Sequence, residues 1–345
     1  MNRKTLDHFE GCLLGGAVGD ALGAPVEFMT LEEIIGHFGP GGIHDYVPAY
    51  GKTGAITDDT QMTLFTAEGL ILSKTRASDH PSVDATLESI YQAYLRWLTT
   101  QDASLSNTII TQHGTCSILD GILIGFRELH ARRAPGNACL ASLESGTMGT
   151  RQHPINNSKG CGGVMRIAPV GLVEPLDKVF ETACDIAAIT HGHPTGYLAA
   201  GCLALIVQEI IAGRDLRSAV EKAGQVLEKN DHHHECTRSL AMAMDAYAHQ
   251  PVAFETVRSL GRGWIAEEAL GIGVYCALVA GTVFEKGITL AVNHDGDSDS
   301  TGAITGNLLG ALLGRAAIPE KYLDKLELVN LIGEIAGDLY ALVAE

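Results

Sequence analysis

Glycine recurs every fourth residue at both ends of this chain: Gly11, Gly15, Gly19 and Gly23, then Gly302, Gly306, Gly310 and Gly314. Both runs lie in segments that read as helix, where residues four apart form one ridge. An interior helical glycine costs about 1 kcal/mol against alanine, so a ridge of four needs an offsetting gain. Close approach of a neighbouring helix backbone supplies it through dispersion contacts. Both ridges are therefore expected deep in a helical bundle. A membrane dimer face is the rival reading, and it fails because Asp20 and Arg315 interrupt or bound the short segments.

Helical periodicity dominates elsewhere, and few stretches alternate as strands do. Helices are expected over 5–23, 59–74, 84–99, 116–130, 178–190, 195–212, 215–228, 236–248, 265–283, 299–314 and about 325–343. Polar, Gly- or Pro-rich connections fall at 36–57, 131–163 and 285–298. No interdomain linker or fixed-period repeat interrupts them. The expectation is all-α, with residues 1–345 as one domain.

Composition narrows the partners. The chain has 24 Lys+Arg against 41 Asp+Glu, a formal net charge of −17. That excludes a nucleic-acid phosphate surface, which needs a basic patch. The longest uncharged stretch, 186–208, contains His191, His193 and Pro194 and does not read as a continuous apolar bilayer span. The start is polar and unlike a secretory leader. Eight dispersed cysteines without a CxxC pair read as reduced core thiols, so a cytoplasmic protein is expected.

Two acidic clusters carry the chemistry. Thr57-Asp58-Asp59-Thr60 and Asp295-Gly296-Asp297-Ser298-Asp299-Ser300-Thr301 each follow a glycine-containing loop and open a helical run. Carboxylate and hydroxyl oxygens at that density suit magnesium, manganese or calcium rather than zinc. Either cluster alone reads as helix capping; the pair reads as a divalent-metal site assembled from both ends of the chain.

Six segments then resemble the ADP-ribosylglycohydrolase family: GGAVGDALGAPVEF (15–28), GAITDDTQMTLFTAEGL (54–70), SKGCGGVMRIAPVGL (158–172), THGHPTGYLAAG (190–201), GRGWIAEEALGIGVYCAL (261–278) and NHDGDSDSTGAITGNLLGALLG (293–314). They follow the family's order over most of the chain. The resemblance implies a single compact orthogonal helical bundle with a binuclear metal site holding two Mg2+ ions, or Mn2+ in their place. It implies hydrolysis of the bond joining ADP-ribose to a modified protein side chain, arginine in most members and serine in one branch, with ADP-ribose as product.

Carried over by position, the resemblance makes Thr57, Asp58, Asp59, Asp297, Asp299 and Ser300 metal ligands, with Asp299 bridging. Ser300 stands where many members have threonine, and both offer a hydroxyl. Gly160, Gly162, Gly163 and Met165 become a diphosphate loop, whose backbone N–H groups suit that task. His191 would reach the bound ADP-ribose, although a histidine at a helix start is otherwise a local hydrogen-bonding residue. Trp264 would stack on adenine or ribose, or else sit in the core. Glu27 aligns with an acidic residue acting near the scissile bond; by itself it reads equally as a solvated loop residue. Glu27 and Asp59 are the candidates for moving the proton.

The remaining polar residues read structurally. Asp20 is expected as a buried carboxylate bonded to backbone or to a ligand, Asp295 as an outer or exposed residue, and Lys159 as solvent-facing. His232, His233 and His234 read as a solvated loop, since consecutive residues point to different faces. Asp120 is the nearest match to an acidic residue that nitrogenase-regulating members use after their YLRW-like helix. Two other readings stand beside the arginine one. The acceptor could be ADP-ribosylserine or O-acetyl-ADP-ribose, or the chain could be an immunity protein neutralising an ADP-ribosylating toxin, by hydrolysis or by blocking its active site.

Overall fold

A computed structural model describes residues 3–76 and 82–344. Eighteen α-helices lie among the described residues, and the one sheet there is a two-stranded ribbon, Pro48–Ala49 paired antiparallel with Lys52–Thr53. That ribbon lies inside the connection expected at 36–57, and its turn puts Tyr50 and Gly51 at positive φ.

At the centre, the helix Leu6–Gly23 packs antiparallel on Ser298–Leu313. Both are buried along most of their length and have no polar face, so their identity as central elements rests on burial all round. The glycine ridges face each other. A β-carbon at Gly11 would lie 2.5 Å from the carbonyl oxygen of Gly310, and one at Gly15 or Gly19 would overlap the carbonyl of Gly306 or Gly302. The clash is reciprocal from the other helix. Backbone touches backbone here, and no other residue type fits.

The same register aligns the ends. Gly23 abuts Ser298 and lies, by its absent β-carbon, 2.5 Å from the Cα of Asp299. The C-terminus of one glycine helix is thus beside the first turn of the other, and the turn at 24–28 carries Glu27 across that first turn. Asn307 adds a side-chain tie, donating from Nδ2 to the carbonyl of Cys12 at 2.8 Å.

Around this pair, Asp58–Arg76 packs on Val83–Gln101, and Val179–Ala188 on Pro194–Ile211. Pro194–Ile211 does reach membrane-spanning length and apolarity, contrary to the sequence expectation for that stretch, but 83% of that window is buried inside the fold. A buried ion cluster positions the start of Asp58–Arg76. Arg133 binds Glu327 through both terminal nitrogens and donates from Nη1 to the carbonyl of Ile56 at 2.7 Å. Lys52 joins Glu327 at 3.1 Å. The segment leading into Asp58 is therefore clamped between the 131–136 loop and the C-terminal region.

Several expected boundaries move. The single helix expected at 116–130 is a short turn, Cys116–Leu119, followed by 3-10 turns at Leu123–Gly125 and Arg127–Leu129. The cause is the buried Glu68–Arg96 ion pair at 2.8 Å, which presses on Gly121 while Glu68 takes the backbone N–H of Leu123 at 3.0 Å. A long-range acceptor replaces the helical one. The helix expected at 265–283 stops at Ala280, where Gly281 turns with φ +61, and Phe284–Val292 is a new helix within the expected 285–298 connection. Leu31–Phe38, Ser106–His113, Asn137–Glu144, Ala168–Val173 and Phe254–Leu260 are also helices beyond those expected. Most are only two turns long, too short for periodicity to register.

Gly306 and Gly224 make a paired test. Gly224, in Leu216–Leu227, has open space where a β-carbon would be. Gly224→Ala should gain about 1 kcal/mol of helix propensity and raise the melting temperature. Gly306→Ala should lower it despite the same propensity gain, because overpacking costs about 1–3 kcal/mol, and Gly306→Leu should leave little soluble protein. Equal melting shifts for the two alanine variants would refute backbone contact at the ridge.

Candidate active site

One cleft of about 490 Å³ lies over the paired ends of the glycine helices. Three elements bring its carboxylates together. Asp58 and Asp59 form the first turn of Asp58–Arg76, Asp297 caps Ser298–Leu313 with Asp299 in its first turn, and Glu27 hangs from the turn after Leu6–Gly23. Ligand oxygens of Glu27, Asp297 and Asp299 all lie within 4.8 Å of one another.

The local backbone explains each position. Asp20, in the glycine ridge, accepts from the backbone N–H of Thr57 at 3.0 Å and of Thr60 at 3.1 Å, and from the Thr60 hydroxyl. It anchors the start of Asp58–Arg76 on the glycine helix, the structural role expected for it. Gly136 donates its N–H to Asp58 Oδ2 at 3.2 Å. In the second cluster Gly296 turns with φ +131, a conformation that favours glycine, and Asp297 donates its backbone N–H to the carbonyl of Arg262 at 2.8 Å. That bond docks the 262–264 turn beside the cluster.

Electrostatically the cleft is under strain without a cation. Burial first, then the charge of Asp299, pushes the carboxyls of Asp58, Asp59 and Asp297 well above the usual range. Glu27 is pushed up to about 10, by burial and then by Asp299, Asp297 and Asp58. Asp20 rises to about 7 through burial and Asp299. So many buried carboxylates ionise together only beside positive charge. Asp59 Oδ1 and Glu27 Oε2 are buried without a hydrogen-bond partner among the described residues. Carboxyl oxygens left without a partner in an oxygen-rich cleft fit a hard divalent cation, which would favour their ionised form.

The rest of the wall comes from farther along the chain. Gly160, Cys161, Gly162 and Met165 line one side, with His191 behind them. Gly160 bridges to Ile265, and Cys161 donates its N–H to the carbonyl of Trp264 at 3.1 Å, so the glycine loop is fixed to the 262–266 segment. Trp264 and Phe28 stack at the mouth, ring centroids 5.7 Å apart and 21° between planes. They are 39% and 73% exposed, which removes the core alternative for Trp264.

Of the expected site residues, the cleft gathers Glu27, Asp58, Asp59, Gly160, Gly162, Met165, His191, Trp264, Asp297, Asp299 and Ser300. Thr57 and Gly163 do not line it. Thr57 is fully buried behind Asp59, its hydroxyl accepting the Asp59 N–H at 3.3 Å and bonding Asp299. Gly163 packs inward against Ala187 and the His191 ring. Lys159 does not simply face solvent: it pairs with Glu267 at 2.6 Å and Glu235 at 2.9 Å, tying the loop to two helices. Asp295 is nearly buried, holding Arg258 at 2.5 Å and the Leu31 N–H at 2.6 Å. Asp120 pairs with Arg76 at 2.9 Å and is not among the cleft residues. His232, His233 and His234 lie at the start of His234–His249, His232 and His234 exposed and His233 half-buried.

Sequence reasoning missed Phe28, Cys161 and the wall from Ala134 to Ala138. Phe28 follows Glu27, and Cys161 lies between Gly160 and Gly162. The 134–138 wall has no motif; the Arg133 clamp and the Gly136 N–H bond to Asp58 bring it to the site. Of the seven described cysteines, all free, six are buried as expected, while Cys161 opens to the cleft with its thiol 2.7 Å from Asp297 Oδ2.

An all-helical fold with an acidic, cation-fitting cleft and a glycine loop beside it defines the class of protein. The chain belongs to the ADP-ribosylglycohydrolase family, whose model matches residues 1–345. It is similar to the ADP-ribosyl-[dinitrogen reductase] glycohydrolase of Rhodospirillum rubrum, at 28% identity over 98% of this chain and 96% of that protein. It is also similar to the ADP-ribosylarginine hydrolase Tri1 of Serratia proteamaculans, at 24% identity over 99% of this chain and 81% of that one. A solved structure of an ADP-ribosylglycohydrolase-related protein complex superposes with a TM-score of 0.65 at 26% identity, covering 99% of both chains. The family is metal-dependent and releases ADP-ribose from ADP-ribosylated proteins.

The crowded carboxylates set the metal-free protein's response to pH. Folded Glu27 holds its proton up to about pH 10, against about 4.3 unfolded. The folded state binds more protons between those values, so stability falls as pH rises. With chelator present, the melting temperature should drop from pH 7 to 8.5; saturating Mg2+ should flatten that slope. An equal slope with and without Mg2+ would argue against a cation at these carboxylates.

Proposed function

We propose that this chain hydrolyses the N-glycosidic bond between ADP-ribose and an arginine side chain of a modified protein, supported by two Mg2+ ions, with Mn2+ able to replace them. The observation that carries the reading is the convergence of Glu27, Asp297 and Asp299 oxygens within 4.8 Å in a cleft that also holds a glycine loop. The arginine acceptor fits the acidity of the cleft, since a guanidinium is a cation, and relatives named for arginine and dinitrogen-reductase substrates support it.

Asp58, Asp59, Asp297, Asp299 and Ser300 would hold the ions, with the Thr57 hydroxyl bracing Asp59 and Asp299 from behind. When bound, such ions neutralise the carboxylates and orient adjacent ribose hydroxyls. Gly160, Gly162 and Met165 would border the diphosphate through backbone N–H groups, with Gly163 packing the loop. Trp264 would stack on the nucleoside, and Phe28 beside it would meet the acceptor. Hydrolysis develops oxocarbenium-like charge at ribose C1″. Glu27 Oε2, raised and without a partner, gives its proton to the departing guanidine nitrogen as the C1″–N bond breaks. Asp59, ionised once the ions offset the negative charge around it, would take a proton at Oδ1 from the water whose oxygen bonds C1″. Free thiols are in keeping with a cytoplasmic site of action.

The 131–163 connection contributes Ala134–Ala138 to the cleft wall. That favours a role in holding substrate, with an ADP-ribosyltransferase toxin as one source of modified protein. Two peptides, one ADP-ribosylated on arginine and one on serine, incubated with enzyme and followed by mass spectrometry, test the reading. Release from arginine alone, abolished by chelator and by Asp297→Ala, is expected; preferential release from serine would overturn the acceptor assignment. Asp58→Asn should lose metal binding by calorimetry and nearly all turnover, and retained turnover would remove Asp58 from the site.

A further inference from the structure

Arg166 is fully buried, yet no carboxylate pairs with it among the described residues. Its guanidinium lies over the Tyr94 ring, 4.2 Å from the centroid, and Nη1 rests 3.5 Å from the sulfurs of Met62 and Cys139. Leaving a buried charge unpaired costs several kcal/mol, on the order of 3–5 where a partner is removed. Its one strong hydrogen bond runs from Nη2 to Thr190 Oγ1 at 2.7 Å, and Thr190 Oγ1 in turn lies 2.9 Å from His191 Nδ1. That chain of contacts ends at the cleft, which His191 lines.

The direction of these bonds follows from the groups. Guanidinium only donates, so Thr190 Oγ1 accepts from Arg166 and keeps its own hydrogen to give. The nearest strong acceptor is His191 Nδ1; the other neighbour, the Cys139 thiol, accepts only weakly. The positive charge of Arg166 also disfavours an N–H at Nδ1 and favours a lone pair there. Nδ1 therefore accepts, and the ring hydrogen sits on Nε2.

Nε2 faces the glycine loop. A methyl group at Gly160 would lie 3.5 Å from it and one at Gly162 3.2 Å, so the bare glycines leave that edge open. We propose that Arg166 and Thr190 are positioning residues that hold His191 as a neutral ring donating Nε2–H into the diphosphate side of the cleft. Burial and the Arg166 charge hold the His191 ring neutral, its pKa pushed down to about 3. The backbone under the pair is pinned as well: the Thr190 carbonyl accepts from Ser142 and Asn156, and Asn156 Oδ1 accepts the Gly192 and Ser158 N–H groups.

The identity of the ligand rests on the proposed function, but the tautomer does not. In protein carrying 15N-labelled histidine, long-range proton–nitrogen spectra, with His191→Gln assigning the signal, should show protonated Nε2 and unprotonated Nδ1 before any ligand is added. Thr190→Val should change that pattern and weaken ADP-ribose binding by calorimetry about tenfold, the loss expected for a hydrogen bond to a charged group. Thr190→Ser, which keeps the hydroxyl, should restore both; this separates the relay from any folding defect of the valine variant. A wild-type ring protonated at Nδ1, or a Thr190→Val spectrum equal to wild type, would overturn the proposal. Should the tautomer respond as stated while wild-type protein fails to bind ADP-ribose, the relay stands and the ADP-ribose reading falls.

Discussion

Backbone contact between two glycine-ridged helices is the constraint on which the rest of this structure depends. Gly11, Gly15 and Gly19 meet Gly310, Gly306 and Gly302 with no space for a β-carbon on either side. A glycine ridge weakens each helix by about 1 kcal/mol per residue, and close packing over four turns offsets that weakness. Because glycine meets glycine only in one register, the contact also fixes the axial position of one helix on the other. Sliding by one residue would drive side chains into carbonyl groups.

That register places the chemistry. The end of Leu6–Gly23 is set against Ser298 and Asp299, and Glu27 follows four residues later. Asp20, inside the ridge, reaches outward to the first turn of Asp58–Arg76 and holds Asp58 and Asp59 facing the same cleft. Carboxyl groups from residues 27 to 299 are thereby concentrated where burial and mutual repulsion raise their pKa values. The helix packing thus does work against electrostatics, and cation binding is the natural relief.

Charge is managed differently behind the glycine loop. There a buried arginine, without an ionic partner among the described residues, stands behind a neutral histidine, and the glycine loop in front of them carries few side chains. One wall is anionic and suited to cations and a cationic acceptor; the other offers hydrogen-bond donors suited to phosphate oxygens. A molecule with a ribose between a diphosphate and a guanidinium matches that polarity.

The sequence by itself determined the all-α class, the buried glycine ridges and the two acidic clusters, because each is written in local spacing: period four for the ridges, and adjacent oxygen-bearing side chains before apolar runs. It also marked Glu27, His191 and Trp264 through motif order, while leaving each open to a plainer role. Only the tertiary structure decided which of those residues share a cleft. Thr57 and Gly163 turn inward, Lys159 pairs with two carboxylates, and Asp120 is bound to Arg76. The break in the helix expected at 116–130 likewise depends on Glu68 and Arg96, far away in sequence. Cys161, Phe28 and the 134–138 wall enter through contacts between distant segments, and the His191 tautomer through Arg166 and Thr190. Such contacts leave no periodic trace, since their partners are set by the packing of whole helices and not by the residues next to them.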